Sequence, residues 1–526
     1  MKILTFLIII FIAALIGYFV CQKYSTKKLS PFVLYAKDIP GTYRIGFTNL
    51  DKEISINKLE IKGNMPQWLS GTLMRNGPAK FTQGNSWVSN WFDGLAMIHT
   101  FTFYNGNVSY ANKFLKTDDY KKVQETGNMS YGGFVQDPCK SKFKSLFTYF
   151  ISGKSYELNL PNANVNIAKY NQHFIALTET PIPVEFDPKT LETLGGLKYD
   201  DNYPQKAIHD TAHPHYDSKR KEHLAYFTQF GRKSTLNLFR IPDGTTQRQI
   251  IASIEVDQPS YMHSFAITDR YAILTALPLV VNPLDMILTS KAFINYFKWK
   301  PELGTKFIVI DRIKDELVGI YKTEPFFAFH TVNAYEQDSQ IILDIVTYPN
   351  SSGVGKSDFN NIFASLPEKP LEGSKKDADI TDSGVLMRYT ISLKDDKISS
   401  EKLCKEYIEL PRINYERYNG KKYNYIYAYA QKYNTDYVAD KLVKIDIKTH
   451  KTVTWTGEEC YPSEPVFVAT PDAIDEDDGV ILSIVLDAKK GTSFLLVLDA
   501  KTFKELSRAE VPHHIPFGIH GAFFQE

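Results

Sequence analysis

Leu495-Leu-Val-Leu-Asp-Ala-Lys-Thr502 is an apolar strand that runs straight into a turn. Aspartate and threonine at such a tip hydrogen-bond the backbone just ahead and so reverse the chain. The same unit occurs as Leu442-Val-Lys-Ile-Asp-Ile-Lys-Thr449, Val184-Glu-Phe-Asp-Pro-Lys-Thr190 and Ile308-Val-Ile-Asp-Arg-Ile-Lys-Asp315. Looser versions are Phe239-Arg-Ile-Pro-Asp-Gly244 and Ile391-Ser-Leu-Lys-Asp-Asp-Lys397. Phe101-Thr-Phe-Tyr-Asn-Gly-Asn-Val-Ser-Tyr110 adds an Asn-Gly turn between two alternating runs, a strong hairpin signal. Hairpins repeating without alternating helices predict an all-β chain built by radial repetition, a β-propeller. Two unrelated β domains would need a linker, and no Pro/Gly/Ser-rich stretch supplies one. Residues 351–383, rich in Lys, Asp, Gly and Ser, read as a surface loop.

Composition narrows the function. Of 526 residues, 43% are hydrophobic and 23% charged, which excludes wholesale disorder. Lysine and arginine number 61 against 60 acidic residues, so no net field steers nucleic acid, and none is expected as a partner. Cys21, Cys139, Cys404 and Cys460 are scattered without a Cys-x-x-Cys pair, against a disulfide scaffold or a thiolate zinc site.

Residues 3–20 form an uncharged run that would span about 27 Å as a helix, close to a bilayer core. It lacks a good small-residue cleavage site, so residues 1–28 read as a membrane anchor, with a cleaved secretory signal as the alternative. Lys23, Lys27 and Lys28 follow the run and place the body, residues 29–526, on the cytosolic side. A second apolar stretch, from Pro278 to Trp299, has no clear strand period. It reads either as a buried helix or as a patch lying on lipid, with Lys291, Lys298 and Lys300 facing headgroups.

Twelve histidines are present. His173, His223, His450, His513 and His514 sit in polar surroundings and are expected at the surface. His99, His263, His330 and His520 sit within apolar runs, where an imidazole is costly unless its nitrogens find partners. For each alone the plain reading is a core histidine bonded to a backbone carbonyl. His209-Asp-Thr-Ala-His213-Pro-His215 is either a local metal site or a polar turn, and spacing does not choose among its histidines. Taken together, histidines 50, 67 and 190 residues apart lie on different blades of a propeller, whose innermost strands converge on an axis. Imidazoles gathered there would suit Fe, Cu, Zn or Ni. Glu179, Glu409 and Glu464, each in apolar or proline-bounded sequence, are candidates to accept the spare N–H of a metal-bound histidine.

The sequence resembles the carotenoid cleavage oxygenases, especially the animal branch of β-carotene oxygenases and the retinoid isomerohydrolase of the eye. The likeness rests on Gly71-Thr-Leu-Met-Arg-Asn-Gly-Pro, Trp91-Phe-Asp-Gly-Leu-Ala-Met-Ile-His, Gln136-Asp-Pro-Cys-Lys, Thr178-Glu-Thr and Thr211-Ala-His-Pro-His, all in family order. Phe329-His-Thr-Val-Asn-Ala-Tyr-Glu, Leu410-Pro-Arg-Ile-Asn-Tyr, Tyr461-Pro-Ser-Glu-Pro-Val-Phe-Val and Phe517-Gly-Ile-His-Gly continue it. The resemblance implies a seven-bladed propeller under a dome of loops and short helices, preceded here by the N-terminal hydrophobic helix. It implies Fe2+ held by His213, His263, His330 and His520, with Glu179, Glu409 and Glu464 behind them. Cys139 falls in a loop near the family's membrane face and is a candidate for acylation, with a free thiol as the alternative.

The activity implied is addition of O2 across one C=C of a carotenoid to give two aldehydes, β-carotene split centrally to retinal being the first expectation. Alternatives on the same scaffold are eccentric cleavage and retinoid isomerohydrolase or isomerooxygenase chemistry. A propeller that binds carotenoid without turnover is the third possibility. Expected partners are a carotenoid or retinoid, O2 and membrane lipid.

Overall fold

The computed structural model describes residues 43–525 apart from residues 85, 89, 130–158, 202, 204–207, 289–292, 352–382 and 432–437. The expected anchor, Cys139 and most of the 351–383 loop lie outside the described residues. Among the described residues no helix is long and apolar enough to cross a membrane.

Aspartate turns recur where the sequence places them. The Asp499 carboxylate accepts from the amide and hydroxyl of Thr502 at 2.6 and 2.7 Å. Asp187 does the same for Thr190, and Asp446 and Asp311 take the amides of Thr449 and Lys314. Asn105 and Gly106 both adopt positive φ, 47° and 71°, as a tight hairpin turn requires.

Among the described residues six antiparallel sheets of four or more strands result. The first contains Gly71–Lys80, Leu95–Tyr104 and Asn107–Phe114, and the second runs from Asn166–Tyr170 to Thr193–Gly196. The third spans Ile208–Asp210 to Gln249–Val256, and the fourth Phe265–Ile267 to Glu316–Thr323. A fifth, of seven strands, runs unbroken from Thr331–Gln337 to Lys451–Thr456 through the long strand Ile398–Arg412. The sixth is centred on Gly479–Asp487 and Thr492–Asp499. The expected seven blades are therefore not seven separate sheets.

Apolar clusters lie between successive sheets. Met74, Ile98 and Phe186 join the first to the second, and Tyr170, Phe227 and Phe239 the second to the third. Leu238, Ile273 and Ile308 follow, then Phe307 with Ile342, then Tyr427 with Phe494. Leu73, Phe103, Leu482 and Val497 return the sixth sheet to the first. Two exchanged strands fasten this ring. Glu60–Gly63 pairs with Glu505–Val511 in the last sheet, and Gly521–Phe524 pairs with Gly71–Lys80 in the first.

The described residues of the apolar stretch from Pro278 do not form one helix, and Leu284 among them is 60% exposed. Leu279–Val281 pairs with Phe297–Trp299 as a ribbon, with the short helix Pro283–Leu288 between them. Val281, Ile294, Tyr296 and Phe297 are buried in the largest core cluster. Lys298 lies 3.8 Å from Asp285 and Lys300 donates to Gln258. His223 is also a correction. It is buried against the rings of Tyr170 and Tyr216 rather than solvated, because the strand Glu222–Gln229 is buried on both faces. His99 is a core histidine, bonded to the Tyr110 hydroxyl at 2.9 Å.

Candidate metal centre

Four histidines precede edge strands of four different sheets. His213 and His263 stand two residues before His215–Asp217 and Phe265–Ile267; His330 and His520 stand one residue before Thr331–Gln337 and Gly521–Phe524. Backbone bonds hold each in place. His213 N donates to the Thr211 hydroxyl, which itself donates to the His263 carbonyl. Val346 N donates to the His330 carbonyl, and His520 N to the Val165 carbonyl.

Ring nitrogens of all four lie within 4.8 Å of one another. Nε2 of His213 is 2.8 Å from Nε2 of His263, and Nε2 of His330 is 3.0 Å from Nε2 of His520. Three carboxylates stand behind the rings. His263 Nδ1 meets Glu179 Oε1 at 2.6 Å, His330 Nδ1 meets Glu409 Oε2 at 2.5 Å, and His520 Nδ1 meets Glu464 Oε1 at 2.7 Å. All seven residues named from the sequence are thus brought together, while His215 instead bonds the Tyr415 hydroxyl and the Phe265 carbonyl.

Each carboxylate is kept ionised in a different way. Burial pushes the Glu179 pKa up, but the imidazoles of His209 and His263 beside it outweigh this and bring it to about 2. Glu409 is likewise raised by burial and then lowered further by His330, the Leu410 amide and the Tyr348 hydroxyl. Glu464, 2% exposed, is pulled well below the carboxylate range against its burial by Arg412, Arg75 and His520. Arg75 Nη1 and Arg412 Nε both reach it, the latter at 2.9 Å. Burial among one another lowers the pKa of His213 and His263, and takes His520 to about 3.

Ionised carboxylates can only accept, so each partner Nδ1 carries a proton and Nε2 is the nitrogen left to face the centre. Nε2 of His330 and Nε2 of His520 then face each other across 3.0 Å. Neutral imidazoles so placed can offer their lone pairs to one shared cation. An all-imidazole set fits a divalent transition metal, and carboxylates behind the ligands are its usual support.

Sequence reading missed the supports of the supports. Arg75 and Arg412 on Glu464, and Tyr261 and Tyr348 donating to Glu179 and Glu409 at 2.8 and 2.7 Å, were not singled out. Arg75 left a signal, being charged in the otherwise buried strand Gly71–Lys80. His209 lies 3.2 Å from Glu179 Oε2, off the direction a hydrogen bond needs.

A cavity of about 220 Å³ reaches His263 and His330 on one side, walled by Phe47, Trp91, Phe92, Phe329 and Phe517. A second, of about 590 Å³, reaches His213, His330 and His520 from another side and is lined by Asn166, Arg412 and Tyr415 among others.

The model of the retinal pigment epithelial membrane protein (RPE65) family matches residues 47–525. The chain belongs to the RPE65 family of carotenoid oxygenases. It is 36% identical to β,β-carotene 15,15′-dioxygenase of Gallus gallus, over 89% of this chain and 95% of that one. It is 34% identical to the mitochondrial carotenoid-cleaving dioxygenase of Homo sapiens, over 88% and 87%. Among solved structures, an apocarotenoid oxygenase/RPE65 chimera superposes with a TM-score of 0.79 at 26% identity, covering 92% of this family member and 98% of the chimera. Cobalt-substituted Synechocystis apocarotenoid oxygenase superposes at 0.77 with 25% identity, covering 92% and 98%.

Proposed function

We propose that this chain is an iron(II)-dependent dioxygenase that cleaves one C=C bond of a carotenoid to two aldehydes, with central cleavage of β-carotene to retinal as the leading case. The carrying observation is the convergence of four imidazole nitrogens beside an aromatic cavity. His213, His263, His330 and His520 would hold the ion. Bound ferrous iron supplies the electrons that let dioxygen react. The chain's own side chains do the rest without acting as acid, base or nucleophile. Glu179, Glu409 and Glu464 hold the Nδ1 protons and so fix which nitrogen faces the ion. Phe92 and Phe329, whose rings lie 6.5 Å apart, offer flat apolar surface to a polyene and exclude water beside His263. Both atoms of dioxygen end in the two carbonyl groups, so no further reductant is needed.

The relatives named as carotenoid dioxygenases support the substrate class, and the O2 requirement follows from it. We read the seven-stranded sheet as two blades sharing Ile398–Arg412, which makes seven in all. Residues 1–28 form an anchor and 29–526 the enzyme body on this reading, which rests on the length and lack of charge of residues 3–20. Incubation of the full chain with Fe(II), O2 and β-carotene, followed by identification of products, tests the reaction. Retinal as the sole aldehyde supports it; an ionone-type fragment moves the cut off centre, and no aldehyde from any carotenoid removes the proposal.

A further inference from the structure

The aromatic cavity is not apolar throughout. Strands Ile398–Arg412 and Tyr425–Gln431 pair so that Glu409 faces Tyr429 and Tyr407 faces Gln431, and all four line the cavity. Alternation along a strand sets Tyr429 and Gln431 on the same face, Tyr429 directly opposite Glu409 and Gln431 two residues, about 7 Å, further along the ribbon. Glu409 is already saturated by His330, Tyr348 and the Leu410 amide. Tyr429 and Gln431 differ. Each is half-buried, and neither makes a side-chain hydrogen bond among the described residues. An amide brings two donors and an acceptor, and a phenol brings one donor and acceptor capacity. A hydrocarbon filling the cavity would strip water from both heads and leave them unpaired, which lowers affinity by roughly tenfold for each such group.

We propose that Gln431 and Tyr429 form a subsite for the terminal oxygen of a polyene, so that the chain selects carotenoids ending in a hydroxyl or carbonyl over hydrocarbon ones. The inference rests on the carotenoid reading above and adds the substrate class within it. A terminal oxygen satisfies the amide and the phenol together, whereas β-carotene satisfies neither. β-Carotene is still accepted, because the rest of the wall is aromatic and aliphatic.

Equilibrium binding of zeaxanthin, the dihydroxylated counterpart of β-carotene, is compared with that of β-carotene itself, using the shift of the polyene absorbance in the same detergent. The full chain is used as wild type, Tyr429→Phe, Gln431→Leu and the double variant, and kcat/KM is measured in parallel. Wild type is expected to favour zeaxanthin by about tenfold or more, and the double variant to bind the two within about twofold, with unchanged iron content. A wild-type ratio near one, or a ratio the double variant leaves untouched, overturns the subsite. Selective binding without turnover of either polyene would instead sink the dioxygenase reading while the subsite stands.

Discussion

Glu464→Gln preserves side-chain volume and removes one negative charge from the most crowded point of the centre. The carboxylate there receives Arg75, Arg412, the His520 imidazole at 2.7 Å and the Gly521 amide at 3.2 Å. Arg75 is 2% exposed. Breaking a buried ion pair on one side costs about 3–5 kcal/mol, because the partner charge stays behind. A glutamine oxygen still accepts one guanidinium bond, so about 3 kcal/mol is the expected loss. The Glu464 pKa is depressed in the folded chain, so its contribution is fully present above the ordinary carboxylate value and its loss is expected throughout the neutral range. Unfolding entropy of about 2.1 cal/mol/K per residue gives roughly 1.1 kcal/mol/K for a chain this long, hence a fall in melting temperature of about 3 °C. Calorimetry of the metal-free protein reads this directly. Glu409→Gln is the control. Its carboxylate is held by Tyr348, Leu410 and His330 with no arginine, so melting should fall by about 1 °C. Both variants should bind iron about 10–100-fold more weakly. Equal melting shifts in the two, or none in Glu464→Gln, would refute the reasoning.

His330→Ala removes one of the four converging nitrogens and strands Glu409 without its imidazole; iron per chain, measured by elemental analysis, should fall to near zero, and retained iron would remove His330 from the ligand set. Phe329→Ala deletes the ring that packs edge-on against His263 at 5.3 Å; kcat/KM for carotenoid should drop about tenfold with iron content intact. Metal-free stability should fall as pH drops from 7 to 5. His99 and His520 are held at about 3 and His215 and His223 at about 4, in each case chiefly by burial. The unfolded chain therefore binds extra protons below about 6.5 and stability is lost as pH falls through that window; equal melting temperatures at pH 7 and 5 would contradict this.

Local signals carried most of the fold. Asp187, Asp311, Asp446 and Asp499 bond their own turns, so the hairpins were legible residue by residue. Ring closure was not, because Glu60–Gly63 and Gly521–Phe524 find partners hundreds of residues away and carry no local mark of it. The ligand set was legible as a group of histidines in apolar runs, but within His209-Asp-Thr-Ala-His213-Pro-His215 the choice needed the family likeness. The structure supplies the physical reason: His215 is occupied by Tyr415 and Phe265, and His209 sits beneath Glu179. The arginines on Glu464 escaped notice because a charged residue's partner is set by packing between sheets, not by spacing along the chain. His223 is buried despite its polar immediate neighbours, which say little once two sheets stack.

Anomalous diffraction at the iron edge from crystals of the purified chain tests the central claim most directly. One peak per chain, bonded to Nε2 of His213, His263, His330 and His520, is the predicted result. A peak held by other residues, or by fewer than these four imidazoles, or no peak from protein purified with Fe(II), would contradict it.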